Sequence, residues 1–230
     1  MTTIPGNLQH VRARIATACQ RAGRGVEEVT LLAVSKTFGA DAVRAAAAAG
    51  QRAFGENYIQ EGVEKIAALR DLGLMWHCIG PIQSNKTRLV AEHFDWVHTV
   101  DRLKIAERLS AQRPADRPPL NVCIQVNIDG GANKSGVAPG DALALARAVA
   151  ALPQLKLRGL MSIPEIAPDF EAARELHASA RALFDQLNAD GLGLDTLSMG
   201  MSDDLEAAIA AGSTMVRIGT AIFGSRAPKP

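Results

Sequence analysis

Thr30-Leu31-Leu32-Ala33-Val34-Ser35-Lys36, followed by Thr37-Phe38-Gly39 and then by Ala40–Ala49, decides the fold. An apolar, partly β-branched run leads into a turn and then into a helical stretch. The same unit recurs along the chain. Strands are expected at Thr30–Lys36, Ala53–Gly55, Met75–Gly80, Trp96–Val100, Asn121–Ile128, Lys156–Ile163, Thr196–Gly200 and Met215–Phe223. Helices are expected between them, at Ala40–Ala49, Gln60–Leu72, Lys86–His93, Arg102–Gln112, Gly140–Leu152, Asp169–Asn188 and Asp203–Ala211. Strands that alternate with helices argue for a parallel sheet. Eight of them argue for closure into a (β/α)8 barrel of the TIM type, one α/β domain over residues 1–230. An open doubly wound sheet is the alternative. A glycine-rich dinucleotide loop after the first strand would favour it, and Thr37-Phe38-Gly39-Ala40-Asp41 contains none. Upstream, Leu8, Val11, Ile15 and Ala18 recur at helical spacing and give an extra N-terminal helix, which Gly23 and Gly25 end.

Composition narrows the function classes. The chain has 230 residues and is 47% hydrophobic, enough for a sizeable core. With 25 Lys+Arg against 24 Asp+Glu, no basic excess points to nucleic acid. Cys19, Cys78 and Cys123 match neither a zinc spacing nor a disulfide framework and read as buried thiols in a reducing compartment. The N-terminus lacks the apolar core of a signal peptide, and no apolar run is long enough to span a bilayer. A cytoplasmic protein without membrane or nucleic-acid partners is expected.

On this fold chemistry gathers where strands end. Those ends are polar here: Lys36, Glu56-Asn57, His77 with Gly80-Pro81, Asn127, Ser162, Ser198 to Ser202, and Arg217 with Gly219-Thr220. Alternation puts Leu32, Val34 and Lys36 on one strand face. If Val34 faces the interior, so does Lys36, and a desolvated amine is a nucleophile toward an aldehyde. A lysine that snorkels to the barrel mouth is the alternative. Arg217 lies between Val216 and Ile218, whose apolar side chains turn it inward, where it needs a partner. An ion pair with Glu56 would satisfy it. Gly219-Thr220 and Gly200-Met201-Ser202-Asp203-Asp204 lie after the last two strands, where such barrels bind phosphate, and Asp203-Asp204 open a helix. Gly200 would let backbone approach a ligand, and Ser202 would donate a hydroxyl or simply cap that helix. Lys86 and Lys134 sit in polar loops that read as solvated turns or caps. His77 has no second histidine at metal-ligand spacing, so no metal site is expected.

Six blocks of these residues, in order over nearly the whole chain, resemble the pyridoxal phosphate homeostasis protein family, the YggS/PROSC-type proteins. They are Ala33–Thr37, Phe54–Glu61, Trp76–Lys86, Arg158–Met161, Ser198–Asp204 and Val216–Gly224. The resemblance implies a barrel like the N-terminal domain of alanine racemase, with pyridoxal 5'-phosphate (PLP) held as a Schiff base on Lys36. Ser202 and the backbone of Gly219 and Thr220 would bind the phosphate. Arg217 would face the pyridine nitrogen, and Asn57 would lie beside the ring. It further implies a role in balancing PLP pools without catalytic turnover, with PLP-dependent apo-enzymes as partners. Many bacterial relatives read Ser-Lys-Thr-Lys-Pro where this chain has Ser35-Lys36-Thr37-Phe38-Gly39, so a second lysine is replaced by Phe38.

A PLP-dependent amino-acid racemase is the alternative. It would share the cofactor site but would need a tyrosine base opposite the lysine and a further β-domain. Tyr58 is the sole tyrosine, and the sequence ends at Pro230 soon after the last expected strand. The carrier reading, as a monomer, is therefore favoured.

Overall fold

The repeating strand–helix unit closes on itself in a computed structural model that describes residues 3–131 and 135–225. Eight parallel strands form a closed barrel in chain order: β1 (Thr30–Val34), β2 (Ala53–Glu56), β3 (Met75–Cys78), β4 (Trp96–Val100), β5 (Leu120–Val126), β6 (Leu155–Ser162), β7 (Thr196–Ser198) and β8 (Met215–Ile218). The ring shuts where Leu31 pairs with Val216 and Ala33 with Ile218. Between the strands run α2 (Ala40–Ala48), α3 (Ile59–Ala68), α4 (Thr87–His93), α5 (Leu103–Gln112), α6 (Ala142–Ala150), α7 (Phe170–Ala189) and α8 (Leu205–Ala210). The barrel, not the open sheet, is the architecture.

Alternation along each strand sorts side chains between two cores. Ala33, Phe54, Val97, Val216 and Ile218 point outward into the layer between strands and helices. Leu32, Val34, Ile79 and Met215 point inward, as do Trp96, Cys123 and Met161. The N-terminal helix α1 (Ile4–Arg21) starts at Thr3, whose hydroxyl accepts the Gly6 amide at 3.3 Å. It buries Leu8, Val11, Ile15 and Ala18, the stripe read from the sequence. Asn7 donates to the Ile222 carbonyl at 2.8 Å, and Arg14 pairs with Glu206 at 2.7 Å, which fixes α1 beside the last two loops.

Several strands are shorter than expected. β8 ends at Ile218 instead of Phe223, because Gly219 turns the chain (φ −113°, ψ −76°) and Thr220–Phe223 forms a short helix, α9. The expected helix at Gln60–Leu72 is α3 plus a separate tight turn at Arg70–Leu72, stopped by Gly73 at φ +57°. All three cysteines are buried and free, as the reading of buried thiols expects. Burial pushes Cys78 and Cys123 up to about 12. Among the described residues no helix is long and apolar enough to cross a membrane, and no cluster of metal-ligating side chains occurs.

Candidate functional site

Lys36, Asn57, Ser202, Arg217, Gly219 and Thr220 all line one cavity of about 230 Å³ at the C-terminal mouth of the barrel. Residues far apart in sequence meet there because each follows or ends a strand. Val34, Ile79 and Ile163 supply apolar wall. Lys36 is half-buried instead of enclosed, because β1 ends at Val34 and the lysine sits in the turn beyond it. Lys86 lies in a tight turn before α4 and is not part of the cavity wall. Lys134 falls outside the described residues.

Arg217 is turned inward, as alternation requires, and is 5% exposed. It donates to Ser198 Oγ at 2.8 Å and to the Ser162 carbonyl at 2.9 Å. Both partners are neutral. Burial draws the guanidinium down to about 10, so it stays charged at neutral pH. The ion pair with Glu56 does not form. Glu56 shares strand parity with Phe54 and so points outward, where Lys65 donates to it at 2.8 Å and Ser35 Oγ at 2.5 Å. Arg217 and Glu56 are on opposite faces of the sheet. A buried cation whose hydrogen-bond acceptors are both neutral is an attractor for an electron-rich ligand.

A polar file continues behind Arg217 inside the barrel. Ser198 Oγ lies 2.9 Å from His98 Nδ1, and His98 Nε2 lies 2.9 Å from His77 Nδ1. Trp96 stacks on His77 with ring centroids 5.1 Å apart. Burial lowers His77 to about 3 and holds His98 well below the imidazole range, with His77 and Arg217 adding to the effect on His98. Both rings are neutral. Arg217 can only donate, so Ser198 Oγ accepts from it and can donate its hydroxyl hydrogen bond to His98 Nδ1. His77 is thus held inside the barrel by His98 and Trp96. His98 was missed, although Trp96-Val97-His98 carries the alternation that puts it inward with Trp96.

At the other wall the amides of Gly219 and Thr220 make no hydrogen bond to another described residue. Ser202 Oγ lies 3.5 Å from the Ala221 amide. Ser202 does not cap the following helix. α8 starts at Leu205 with Asp204 at its N-cap position, and the expected helix from Asp203 to Ala211 is shorter at both ends. Gly200 is not in the cavity wall. Its glycine is required by φ +95° and by α8, since a Cβ there would lie 2.5 Å from the Ala208 Cβ. Gly80, in contrast, lets the chain beyond β3 pass close to Asn57: a Cβ would lie 2.0 Å from the Asn57 carbonyl oxygen. Asn57 Oδ1 is buried without a partner among the described residues. Phe38, in place of a second lysine, also lines the cavity and stacks on Phe223 at 5.2 Å.

Asp204 anchors the Ser202 loop. It accepts from the Met201 amide at 2.6 Å and lies 2.9 Å from His177 Nε2. Burial raises its pKa, but the His177 and Met201 hydrogen bonds outweigh this and the net shift is downward. A folded pKa below the unfolded one stabilises the protein above the ordinary carboxylate range, about 4, and that contribution is lost as pH falls through the folded value. Urea unfolding of the protein and of Asp204→Asn should therefore give midpoints that converge as pH drops below about 4. A gap that stays constant with pH would contradict this.

Comparison with known proteins agrees with the geometry. The alanine racemase N-terminal domain family model matches residues 6–227. The pyridoxal phosphate homeostasis protein of Pseudomonas aeruginosa is 64% identical over 98% of this chain and 97% of its own length. That of Escherichia coli is 58% identical over 98% of both. The solved structure of PipY from Synechococcus elongatus with PLP bound superposes with a TM-score of 0.85 at 38% identity, covering 96% of this chain and all of PipY. The expected resemblance is thus met over nearly the whole length. The chain belongs to the pyridoxal phosphate homeostasis protein family, built on the alanine racemase N-terminal barrel.

Proposed function

We propose that this protein is an intracellular PLP carrier that holds the cofactor reversibly as a Schiff base on Lys36 and does not turn over amino acids. The observation that carries the proposal is that Lys36, the buried Arg217 and the amides of Gly219 and Thr220 surround one cavity. PLP supplies an aldehyde, a phosphate and a pyridine nitrogen, and the wall offers a complement to each. The Lys36 nitrogen bonds to the aldehyde carbon and water leaves; hydrolysis reverses the step. Ser202, Gly219 and Thr220 bind the phosphate by hydrogen bonds. Arg217 would face the pyridine nitrogen, and Asn57 Oδ1, without a partner among the described residues, would face the ring's polar substituents. Tyr58 is 55% exposed and outside the cavity wall, which supports the carrier reading over a two-base racemase. The carrier acts as a monomer. Ile163 and Met201, 42% and 40% exposed beside the cavity, offer apolar contact to apo-enzymes that receive PLP.

Titration of the apo-protein tests the phosphate assignment. Ser202→Ala should weaken PLP binding on the order of tenfold, the worth of one hydrogen bond to an anion, with little change in unfolding midpoint. Pyridoxal, which lacks the phosphate, should bind at least about a hundredfold more weakly. Equal affinity for the two would refute an anion site at these residues.

A further inference from the structure

We propose that Glu61 and Lys65, on α3 behind the sheet, are positioning residues that hold the turn carrying Lys36 and so aim its amine into the cavity. The proposal rests on Lys36 being the attachment residue. Lys36 lies in a tight turn closed by the Phe38 amide donating to the Ser35 carbonyl at 3.1 Å. Its next residue, Thr37, has φ +70°. Glycine or asparagine normally fills that position, and a β-branched residue there persists only when its surroundings enforce it.

The enforcing contacts come from one buried ammonium. Lys65 is 5% exposed, and its Nζ donates to the Ser35 carbonyl at 2.8 Å, to Glu56 Oε1 at 2.8 Å and to Glu61 Oε1 at 2.6 Å. Glu61 Oε1 in turn accepts the Thr37 amide at 2.6 Å. Both flanks of Lys36 are therefore tied to α3, Ser35 through Lys65 and Thr37 through Glu61. Packing does not replace these ties on the outer side, where the turn borders an open groove of about 430 Å³ lined by Thr37, Gly39, Glu61 and Lys65. On the inner side the Phe38–Phe223 stack fixes only the residue after the strained one. Without the tie, Thr37 relaxes toward negative φ and residue 36 swings with it. Misplacing a reacting group by about 1 Å costs as much as a hundredfold in rate.

The test compares apo-protein variants mixed with PLP, following the absorbance change on capture and the unfolding midpoint. Glu61→Ala should slow capture on the order of tenfold. Glu61→Gln, whose amide oxygen still accepts the Thr37 N–H, should stay within about twofold of the parent. Thr37→Gly in the Glu61→Ala background should recover most of the rate, because glycine adopts positive φ untethered. Pyridoxamine 5'-phosphate has no aldehyde, and its affinity should be unchanged by Glu61→Ala. Three results would overturn the proposal: capture by Glu61→Ala at the parental rate, no recovery with Thr37→Gly, or an equal loss of pyridoxamine 5'-phosphate affinity, which would mean general distortion of the cavity. A separate arm isolates the underlying reading. If Lys36→Ala still gives borohydride-fixed PLP, the attachment assignment fails, whatever Glu61 does.

Discussion

Lys36→Ala should reduce the PLP fixed by borohydride to background, while reversible binding of PLP persists at lower affinity. In the proposed site the amine is the covalent partner, but Ser202, Arg217 and the Gly219 and Thr220 amides remain on the same cavity wall. The loss reflects the proximity that the turn provides. A lysine held at attack distance reacts with an effective concentration that no free lysine on the surface matches. Digestion of the reduced, loaded protein and mapping of the pyridoxyl label should place it on Lys36. Dominant label on Lys86 or Lys134 would refute the assignment. Lys86 lies outside the cavity wall, so a label there would also mean that the cavity is not where PLP resides.

Arg217→Glu should raise the rate of slow side reactions between the loaded protein and amino acids by at least about tenfold. PLP stabilises a carbanion best with its pyridine nitrogen protonated. A guanidinium facing that nitrogen can only donate, so it keeps the nitrogen unprotonated; a carboxylate would reverse this. The file behind Arg217 supports that role. Ser198, His98 and His77 are buried, and both imidazoles are held neutral, so no acid stands there to protonate the ring in its place. Stopped-flow spectra with a range of amino acids should show no long-wavelength species with the parent protein. Arg217→Gln serves as the control for folding. It keeps an amide donor toward Ser162 and should cost about 1–3 kcal/mol of stability. Rapid build-up of a long-wavelength band in the parent, or an unchanged side-reaction rate in a correctly loaded Arg217→Glu, would show that ring protonation is not what restrains this chemistry.

The sequence by itself determined the barrel, the inward and outward faces of its strands, and the set of residues at its mouth. Those properties are periodic or local. Alternation in Leu31–Val34 and in Val216–Ile218 is a statement about consecutive residues, and a period of two assigns faces without knowledge of neighbours. Glycine and polar residues at strand ends mark the mouth for the same reason. The motif blocks then pointed to Lys36, Asn57, Ser202, Arg217, Gly219 and Thr220 as one set, and these residues line one cavity.

Only the tertiary structure decided who pairs with whom. Glu56 could have served Arg217 on sequence grounds, but the sheet stands between them, and α3 places Lys65 against Glu56 instead. His98 joins His77 because β4 lies beside β3, a neighbour relation that neither strand states alone. Gly200 was legible as a special position, but its reason lies in the approach of α8 and not in a ligand. The strain at Thr37 and the two ties that hold it were invisible, because residues 35–37 and 56–65 are joined only when β1, β2 and α3 pack. Local chemistry fixes what each residue can do. Burial and packing fix which partner it meets, since a buried charge is satisfied only by the groups that the fold brings within hydrogen-bond reach.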